Sequence, residues 1–194
     1  MKHNVLSILV DNTAGVLSRV AGLFSRRGYN IDSLTVGVTE DPAFSRMTVV
    51  VTCDDMVLAQ IVNQLNKLVD VRDIRVLPAD ASVCRELILV RVAATEKERQ
   101  SVIAVADIFR AKIVDVAKDS LMVELTGNQA KLNAFIELLE GFKIVELVRT
   151  GITGLARGSA NAEYYIYAPC ANNILGGKEK WQKFIIRKIV TYHY

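Results

Sequence analysis

The first part of the chain alternates between two hydrophobic periods. Short runs rich in β-branched residues predict strands, and they occupy four segments, 4–10, 31–39, 45–53 and 71–77. Between them, apolar residues recur every three or four positions over 16–28 and 55–69, which predicts two amphipathic helices. The linker "EDPAF" has turn chemistry and makes the two middle strands a hairpin. The predicted order is β-α-β-β-α-β.

The second part of the chain repeats this order. Strands are predicted over 84–94, 111–117, 120–127 and 143–151, and helices over 96–110 and 128–140. The repeats also finish alike, in "LVDVRDIRV" and "FKIVELVRT". An internal repeat of this kind predicts an α+β protein with two tandem ferredoxin-like βαββαβ domains, at 4–78 and 84–158. Residues 79–83 form a short linker.

Residues 159–194 fit neither repeat. They contain five of the six tyrosines and the one tryptophan of the chain. A segment of this length is too short for a third domain, so we interpret it as an atypical extension, either lineage-specific or from an unrelated reading frame. Its "KEKWQKFIIRKIV" run, 178–190, has the pattern of a short basic amphipathic helix, but we do not expect it to contact a membrane.

Composition narrows the class of protein. The chain is 51% hydrophobic, enough for a packed core, yet no apolar run is long enough for a membrane span. The net charge of +3 comes entirely from 159–194, so the neutral body argues against nucleic-acid binding. Three cysteines without metal or redox spacing favour reduced thiols, and with only two histidines a metal site or catalytic triad is not expected. We expect a cytoplasmic protein without catalytic residues.

The candidate chemistry lies where the first strand meets the first helix. The loop Asp11-Asn12-Thr13-Ala14-Gly15 has the residues of an ordinary turn and helix cap. The same loop also delivers an asparagine and two small residues onto a helix N-terminus, which favours a carboxylate or phosphate. Asn30, in "RGYNIDSL", follows the helix and by itself means little. Asp11, Asp32 and Asp54 are interpreted as caps and turn residues.

A family resemblance favours the ligand interpretation. The stretches "DNTAGVLSRVAGLFSRRGYNIDSLTVG", "DPAFSRMTVVV" and "QLNKLVDV" resemble the ACT domain of the small regulatory subunit of acetolactate (acetohydroxyacid) synthase. "ELILVRV", "IFRAKIVDV" and "TGITGLARG" are similar to the C-terminal domain of that subunit. The resemblance runs from about residue 2 to 158. The tail departs from the family pattern, which normally ends shortly after "LARG".

The resemblance implies a homodimer in which two ACT domains pair edge to edge. It implies that an amino-acid effector, typically valine or another branched-chain amino acid, binds at the dimer interface. The loop of one copy and the start of the second strand of the other would contact it. The matching residues are Asn12, Ala14, Gly15, Val16 and Leu17, with Asn30 and Ile31 opposite.

The resemblance further implies a chain that performs no chemistry and carries no cofactor. Such a chain activates a separate large catalytic subunit, which holds thiamine diphosphate, Mg²⁺ and FAD, and makes it sensitive to feedback inhibition. The compartment would be the cytoplasm, or the plastid stroma for a plastid-encoded chain. A free-standing ACT amino-acid sensor for another partner is the alternative. An RNA-binding RRM shares the element order, but its strands would carry aromatics where "MTVVV" and "LMVEL" are aliphatic.

Overall fold

The computed structural model describes residues 2–158 and two short strands of the tail, 164–169 and 181–186. The described chain divides into two units. The first unit holds the residues up to Val83 together with those from Gly154 onward, and the second unit holds Cys84–Thr153. Each unit buries its own hydrophobic core.

The first unit has the predicted β-α-β-β-α-β order. Its elements are β1 (Lys2–Asp11), α1 (Val16–Arg27), β2 (Ser33–Val38), β3 (Phe44–Cys53), α2 (Asp55–Leu65) and β4 (Val71–Leu77). The strands form an antiparallel sheet in the order β2-β3-β1-β4, so β1 is paired on both sides and β2 lies at an edge. Alternate residues of β1, Leu6, Ile8 and Val10, face the two helices and are buried there.

The second unit repeats this topology. Its elements are β5 (Ser82–Ala93), α3 (Glu96–Phe109), β6 (Lys112–Val116), β7 (Ser120–Gly127), α4 (Gln129–Leu138) and β8 (Ile144–Arg149). Its strand order, β6-β7-β5-β8, corresponds position by position to that of the first unit. Ile88, Val90 and Val92 of the central strand pack with Leu132 and Phe135 of α4. The predicted α+β fold with two ferredoxin-like arrangements is confirmed.

One predicted helix ends early. The apolar period continues to residue 69, but α2 ends at Leu65. Beyond that point the backbone bonds reach back three residues, from Lys67 N to the Gln64 oxygen and from Leu68 N to the Leu65 oxygen. This tighter winding still lets Leu68 pack against the core. The periodicity therefore predicts which residues are buried better than it predicts the helix end.

A short strand that the pattern did not predict, β9 (Thr153–Ala156), pairs with β5. From Gly154 onward the chain belongs to the first unit, although the sequence pattern assigns 154–158 to the second domain. The physical reason is a set of long-range backbone contacts. The Gly154 N–H donates to the Thr48 hydroxyl over 3.4 Å, and Arg157 N donates to the Ala81 oxygen over 2.8 Å.

The tail contains two described strands, β10 (Tyr164–Pro169) and β11 (Trp181–Ile186), which pair antiparallel. The predicted amphipathic helix over 178–190 is therefore wrong for residues 181–186. Aromatic and β-branched residues such as those in "WQKFII" favour strands, and a pairing partner overrides a weak helical period. The remaining part of that predicted helix lies outside the described residues.

The second unit contains a buried ion pair that supports a first prediction. The Glu86 side chain is only 6% exposed, and Arg149 of β8 donates two hydrogen bonds to its carboxylate, at 3.0 and 2.9 Å. Arg149→Ala leaves that carboxylate without its cation. Because Arg149 is partly exposed, we expect a loss of about 2–3 kcal/mol, below the range for fully buried pairs. The measurement is the free energy of unfolding from urea denaturation of the full chain.

The same sheet offers a matched control. Arg91 of β5 pairs with Glu146 of β8 at 3.3 Å, but their side chains are 43% and 60% exposed. Arg91→Ala should cost less than about 1 kcal/mol. Equal losses for the two arginine variants would mean that burial of Glu86 is not what makes its pair important.

A second prediction concerns where the chain can be shortened. Deleting 159–194 keeps the Gly154 and Arg157 contacts described above, so we expect the thermal midpoint to change little. Deleting everything after Thr153 removes them and uncovers Thr48, which is buried. That longer deletion should lower the midpoint by about 4 °C or more, the effect of roughly 1 kcal/mol in a domain of this size. If the shorter deletion is equally damaging, the tail is part of the folded first unit.

Candidate functional site

The loop between β1 and α1 delivers the chain into a helix whose start is open. Gly15 is the N-cap, no side chain caps it, and the first turn contains no acidic residue. The other described helices are protected by side chains: Asp54 accepts from Val57 N, Glu98 accepts from Thr95 N, and Asn128 accepts from Lys131 N. The Val16 N–H donates to the Thr13 oxygen over 3.4 Å, but no side chain offsets the positive end of the helix dipole, which suits an anion.

Gly15 is required here on two grounds. Its φ of 85° lies in the left-handed region, which favours glycine. A Cβ at this position would also lie 3.0 Å from Nη1 of Arg19, one turn along the helix. Arg19 is held in place by Asp70, with Nε 2.6 Å from the carboxylate, and this hydrogen bond raises the pKa of Arg19 further. The Arg19 guanidinium, whose charge is offset by its ion pair with Asp70, thus lies beside the open helix start.

Asn12 is tied to the β2–β3 connection. Its backbone N–H donates to the Ala43 oxygen over 2.7 Å, and its side-chain amide donates to the Pro42 oxygen over 2.9 Å. Its side-chain oxygen accepts from the Ser45 hydroxyl over 3.1 Å. One amide N–H and one oxygen lone pair are left after these bonds. Asn12 therefore both shapes the loop and keeps part of the capacity to meet a ligand.

Asp11 anchors the other side of the loop. Its carboxylate receives two hydrogen bonds from Arg72 of β4, with Nε at 2.6 Å, and its backbone N–H donates to the Asp70 oxygen. The hydrogen bond from Arg72 is the main reason that the pKa of Asp11 is lowered. Asp11 is thus an ion-pair residue, whereas the sequence suggested a cap or turn. Of the three aspartates interpreted in that way, Asp54 does cap α2.

The remaining predicted residues divide between the two ends of α1. Ala14 and Leu17 are exposed at its start, and the Val16 side chain is buried in the core, so only its backbone can meet a ligand. Asn30 and Ile31 follow its C-terminal end, and Ile31 packs against the core. Because α1 has 12 residues, its ends are about 18 Å apart. One copy of the chain does not bring the two halves together.

Exposed apolar side chains surround the same region. Leu17 of α1 and Val36 and Val38 of the edge strand β2 are about half exposed. The strand β2 stands at the end of the described strand order. We call this set the β2 edge.

The chain matches two protein-family profiles. Residues 6–73 match the "AHAS small subunit-like ACT domain", and residues 85–158 match the "Small subunit of acetolactate synthase". A "Probable acetolactate synthase small subunit" of Methanothermobacter thermautotrophicus is 52% identical over 157 residues, covering 80% of this chain and 94% of the relative. The chain belongs to the family of acetolactate synthase small subunits.

Further relatives and one solved structure agree with the family. The "Acetolactate synthase isozyme 3 small subunit" of Salmonella typhimurium is 48% identical over 157 residues, covering 80% of this chain and 96% of the relative. A crystal structure of the acetolactate synthase small subunit from Thermotoga maritima superimposes with a TM-score of 0.77 at 38% identity. It covers 82% of this chain and 99% of that one. The family profiles end at Gly158, so the tail lies outside them.

The match in the second domain bears on the alternative function. A free-standing ACT sensor would lack the matching second half, yet residues 85–158 carry the family profile.

Within the described residues, no group of three His, Cys, Asp or Glu side chains could hold a metal ion. In the same part of the chain no helix is both long and apolar enough to cross a membrane. The Cys53 thiol is free, and its burial raises its pKa.

The loop anchor supports a prediction about pH. Pairing with Arg72 lowers the pKa of Asp11. The pair therefore stabilises the folded chain fully at pH values above the ordinary aspartate pKa. This contribution is lost as the pH falls through the lowered value. Arg72→Met should raise the pKa of Asp11 toward its ordinary value. The measurement is an NMR titration of the Asp11 carboxyl carbon.

Arg75→Met is the control for that titration. Arg75 pairs with Asp73 at 2.7 Å on the same strand. Its removal should leave the Asp11 titration where it is in the wild-type chain. An unchanged Asp11 titration in Arg72→Met would show that the Asp11–Arg72 pair does not form in solution.

Proposed function

We propose that the chain is the regulatory subunit of acetolactate synthase, which activates the catalytic subunit and confers feedback inhibition by valine. Membership of the small-subunit family supports the regulatory role. The effector half of the proposal has a separate support in the geometry of the first unit. The observation that carries it is the open start of α1 at Gly15, beside the Arg19 guanidinium.

The ligand chemistry that fits this site is that of a zwitterionic amino acid. Its carboxylate lies against the start of α1, where the helix dipole favours negative charge and Nη1 of Arg19, the nitrogen not bonded to Asp70, can donate a hydrogen bond. Its ammonium needs a hydrogen-bond acceptor, and Asn30 can supply one. Its side chain meets the exposed apolar surface at Leu17 and β2, which suits the small branched side chain of valine.

A homodimer completes the site. The loop and Asn30 lie at opposite ends of α1, about 18 Å apart for a helix of this length. A two-fold axis beside the β2 edge brings the start of one helix near the end of the other, because such pairing is isologous. The exposed valines of this edge strand support pairing there. Asn12, Ala14, Gly15, Val16 and Leu17 of one copy then face Asn30 and Ile31 of the other.

The chemistry belongs to the large catalytic subunit in this proposal. That partner holds thiamine diphosphate, Mg²⁺ and FAD, and condenses two pyruvates, or pyruvate with 2-oxobutyrate. The chain described here binds no cofactor and acts through assembly. The catalytic subunit then acts in branched-chain amino-acid biosynthesis, and valine is the end product that inhibits it by feedback. The compartment is that of the catalytic subunit, the cytoplasm or the plastid stroma.

Reconstitution with the catalytic subunit tests the whole proposal. The wild-type chain should raise the rate of acetolactate formation, and valine should then lower it. Gly15→Asp should still raise the rate but abolish the valine effect. A side chain at Gly15 fills the space for the carboxylate, its charge repels the ligand, and a non-glycine residue at this φ costs about 1–2 kcal/mol. Calorimetry of the isolated variant should detect no valine binding.

Two milder variants and one control sharpen the result. Asn12→Ala and Asn30→Ala should each weaken valine binding about ten- to a hundredfold, the worth of a hydrogen bond to a charged group. Gly22→Ala is the control, because Gly22 lies on the same helix without a positive φ and with open space around its Cβ. It should bind valine like the wild type. Normal valine inhibition by the correctly folded Gly15→Asp variant would contradict the proposal, because the loop would then be only a turn and a helix cap.

A further inference from the structure

The side chain of Asn30 is oriented by its neighbour Asp32. Its Nδ2 donates to Oδ1 of Asp32 over 2.9 Å. An ionised carboxylate has no hydrogen to donate, so only the amide nitrogen of Asn30 can face it. The amide oxygen therefore points away from Asp32 and is presented as an acceptor. An unrestrained asparagine could equally turn its N–H₂ group outward, where it would repel an ammonium.

Asp32 is itself held from its other oxygen. Its Oδ2 accepts from the Thr52 hydroxyl over 2.6 Å, and Nδ1 of His3 lies 3.0 Å from the same hydroxyl. His3 and Thr52 are directly opposite in the β1–β3 register, so the sheet fixes both. The Asp32 backbone N–H also donates to the Val50 oxygen over 2.9 Å. Both carboxylate oxygens and the backbone of Asp32 are thus engaged.

The hydrogen bonds that link Asn30, Asp32, Thr52 and His3 are placed so that they can fix the orientation of the Asn30 side chain. The Asp32 side chain is 28% exposed, so the carboxylate is shielded enough to hold a fixed geometry, whereas His3 is 69% exposed at the far end. Linked hydrogen bonds polarise one another, so each link strengthens the next. The charge of Asp32 also makes the Asn30 oxygen a better acceptor for a cation. Lys2 does not compete with Asn30 for the Asp32 carboxylate, because the Lys2 ammonium pairs with Asp55 at 3.9 Å.

We infer that Asp32 is a positioning residue for effector binding. It fixes the Asn30 amide so that the oxygen accepts a hydrogen bond from the ammonium of a zwitterionic ligand. Thr52 supports Asp32 in turn. This inference rests on the proposed function, because it deepens the role given there to Asn30. It assigns to the carboxylate a task that its sequence position, two residues beyond Asn30 in a turn, does not indicate.

A double-mutant cycle tests whether Asp32 acts through Asn30. The affinities of valine for the full chain are measured by calorimetry for Asn30→Ala, Asp32→Ala and the double variant. Asp32→Ala should weaken binding about fivefold, less than the loss of Asn30 itself. The double variant should bind like Asn30→Ala, because Asp32 has nothing left to orient. If the two losses multiply in the double variant, Asp32 acts independently and the inference is wrong.

A second readout separates positioning from a general structural role. Isovalerate is valine without its amino group, so it does not use the Asn30 oxygen. Asp32→Ala should weaken valine but not isovalerate, and the ratio of the two affinities should fall about fivefold. Equal weakening of both ligands would mean that Asp32 only maintains the fold. Thr52→Val, which keeps the side-chain shape, should lower the same ratio about twofold, and an unchanged ratio there would break the proposed chain of support.

Asp55→Ala provides the matched control. Asp55 is another surface carboxylate of the first unit, and its ion pair with Lys2 does not involve Asn30. It should keep the wild-type affinity for valine and the wild-type ratio. An equal loss in Asp55→Ala would attribute the effect to net charge and overturn the inference. A wild-type chain that binds no valine would instead refute the proposed function, whereas wild-type affinity in Asp32→Ala would refute only this inference.

Discussion

The central strand of the first sheet is bonded on both sides, and the rest of the first unit depends on that constraint. With β3 and β4 both paired to β1, the point where β1 ends is fixed, and the chain must leave it into α1. Two ion pairs then hold the loop between β1 and α1: Arg72 binds Asp11 before the loop, and Asp70 binds Arg19 after it. A helix start held this firmly need not be capped by its own side chains. Its dipole is available because neighbouring elements supply the rigidity.

The two repeats differ at this point, although their topology is the same. In the second unit the corresponding helix, α3, has Thr95 as its N-cap, Glu98 closes a capping box, and Glu96 adds a second negative charge. Both features satisfy or oppose the positive end of the dipole, and the hydrogen bonds from Thr95 lower the pKa of Glu98. An anion is therefore disfavoured there. The two units share a topology, but among the described residues the uncapped helix start is found in the first unit alone.

Local chemistry predicted most of the fold and the most distinctive part of the site. Hydrophobic period placed the four helices and the eight strands of the repeats, and Asp54 was expected to be a cap or turn residue and is the N-cap of α2. Gly15 was expected in a turn or helix cap, and it is the N-cap of α1 with a positive φ. These features depend on neighbours within a few residues. The pairing of Asp11 with Arg72 spans 61 residues, and no local pattern distinguishes that aspartate from a turn residue. The same holds for Asp32, whose partners come from β1 and β3, and for Gly154, whose hydrogen bond to Thr48 joins residues that the pattern assigned to different domains.

The return of the chain at Gly154 has a mechanical consequence. The second unit is entered at Cys84 and left at Thr153, with the first unit on both sides of it along the chain. The second unit is therefore inserted in the sequence of the first unit, which continues the chain at both of its ends. A force applied between Lys2 and Gly158 is carried by the first unit, where Arg157 is bonded to Ala81 and Gly154 to Thr48. Those hydrogen bonds therefore bear such a load before the polypeptide of residues 84–153 does.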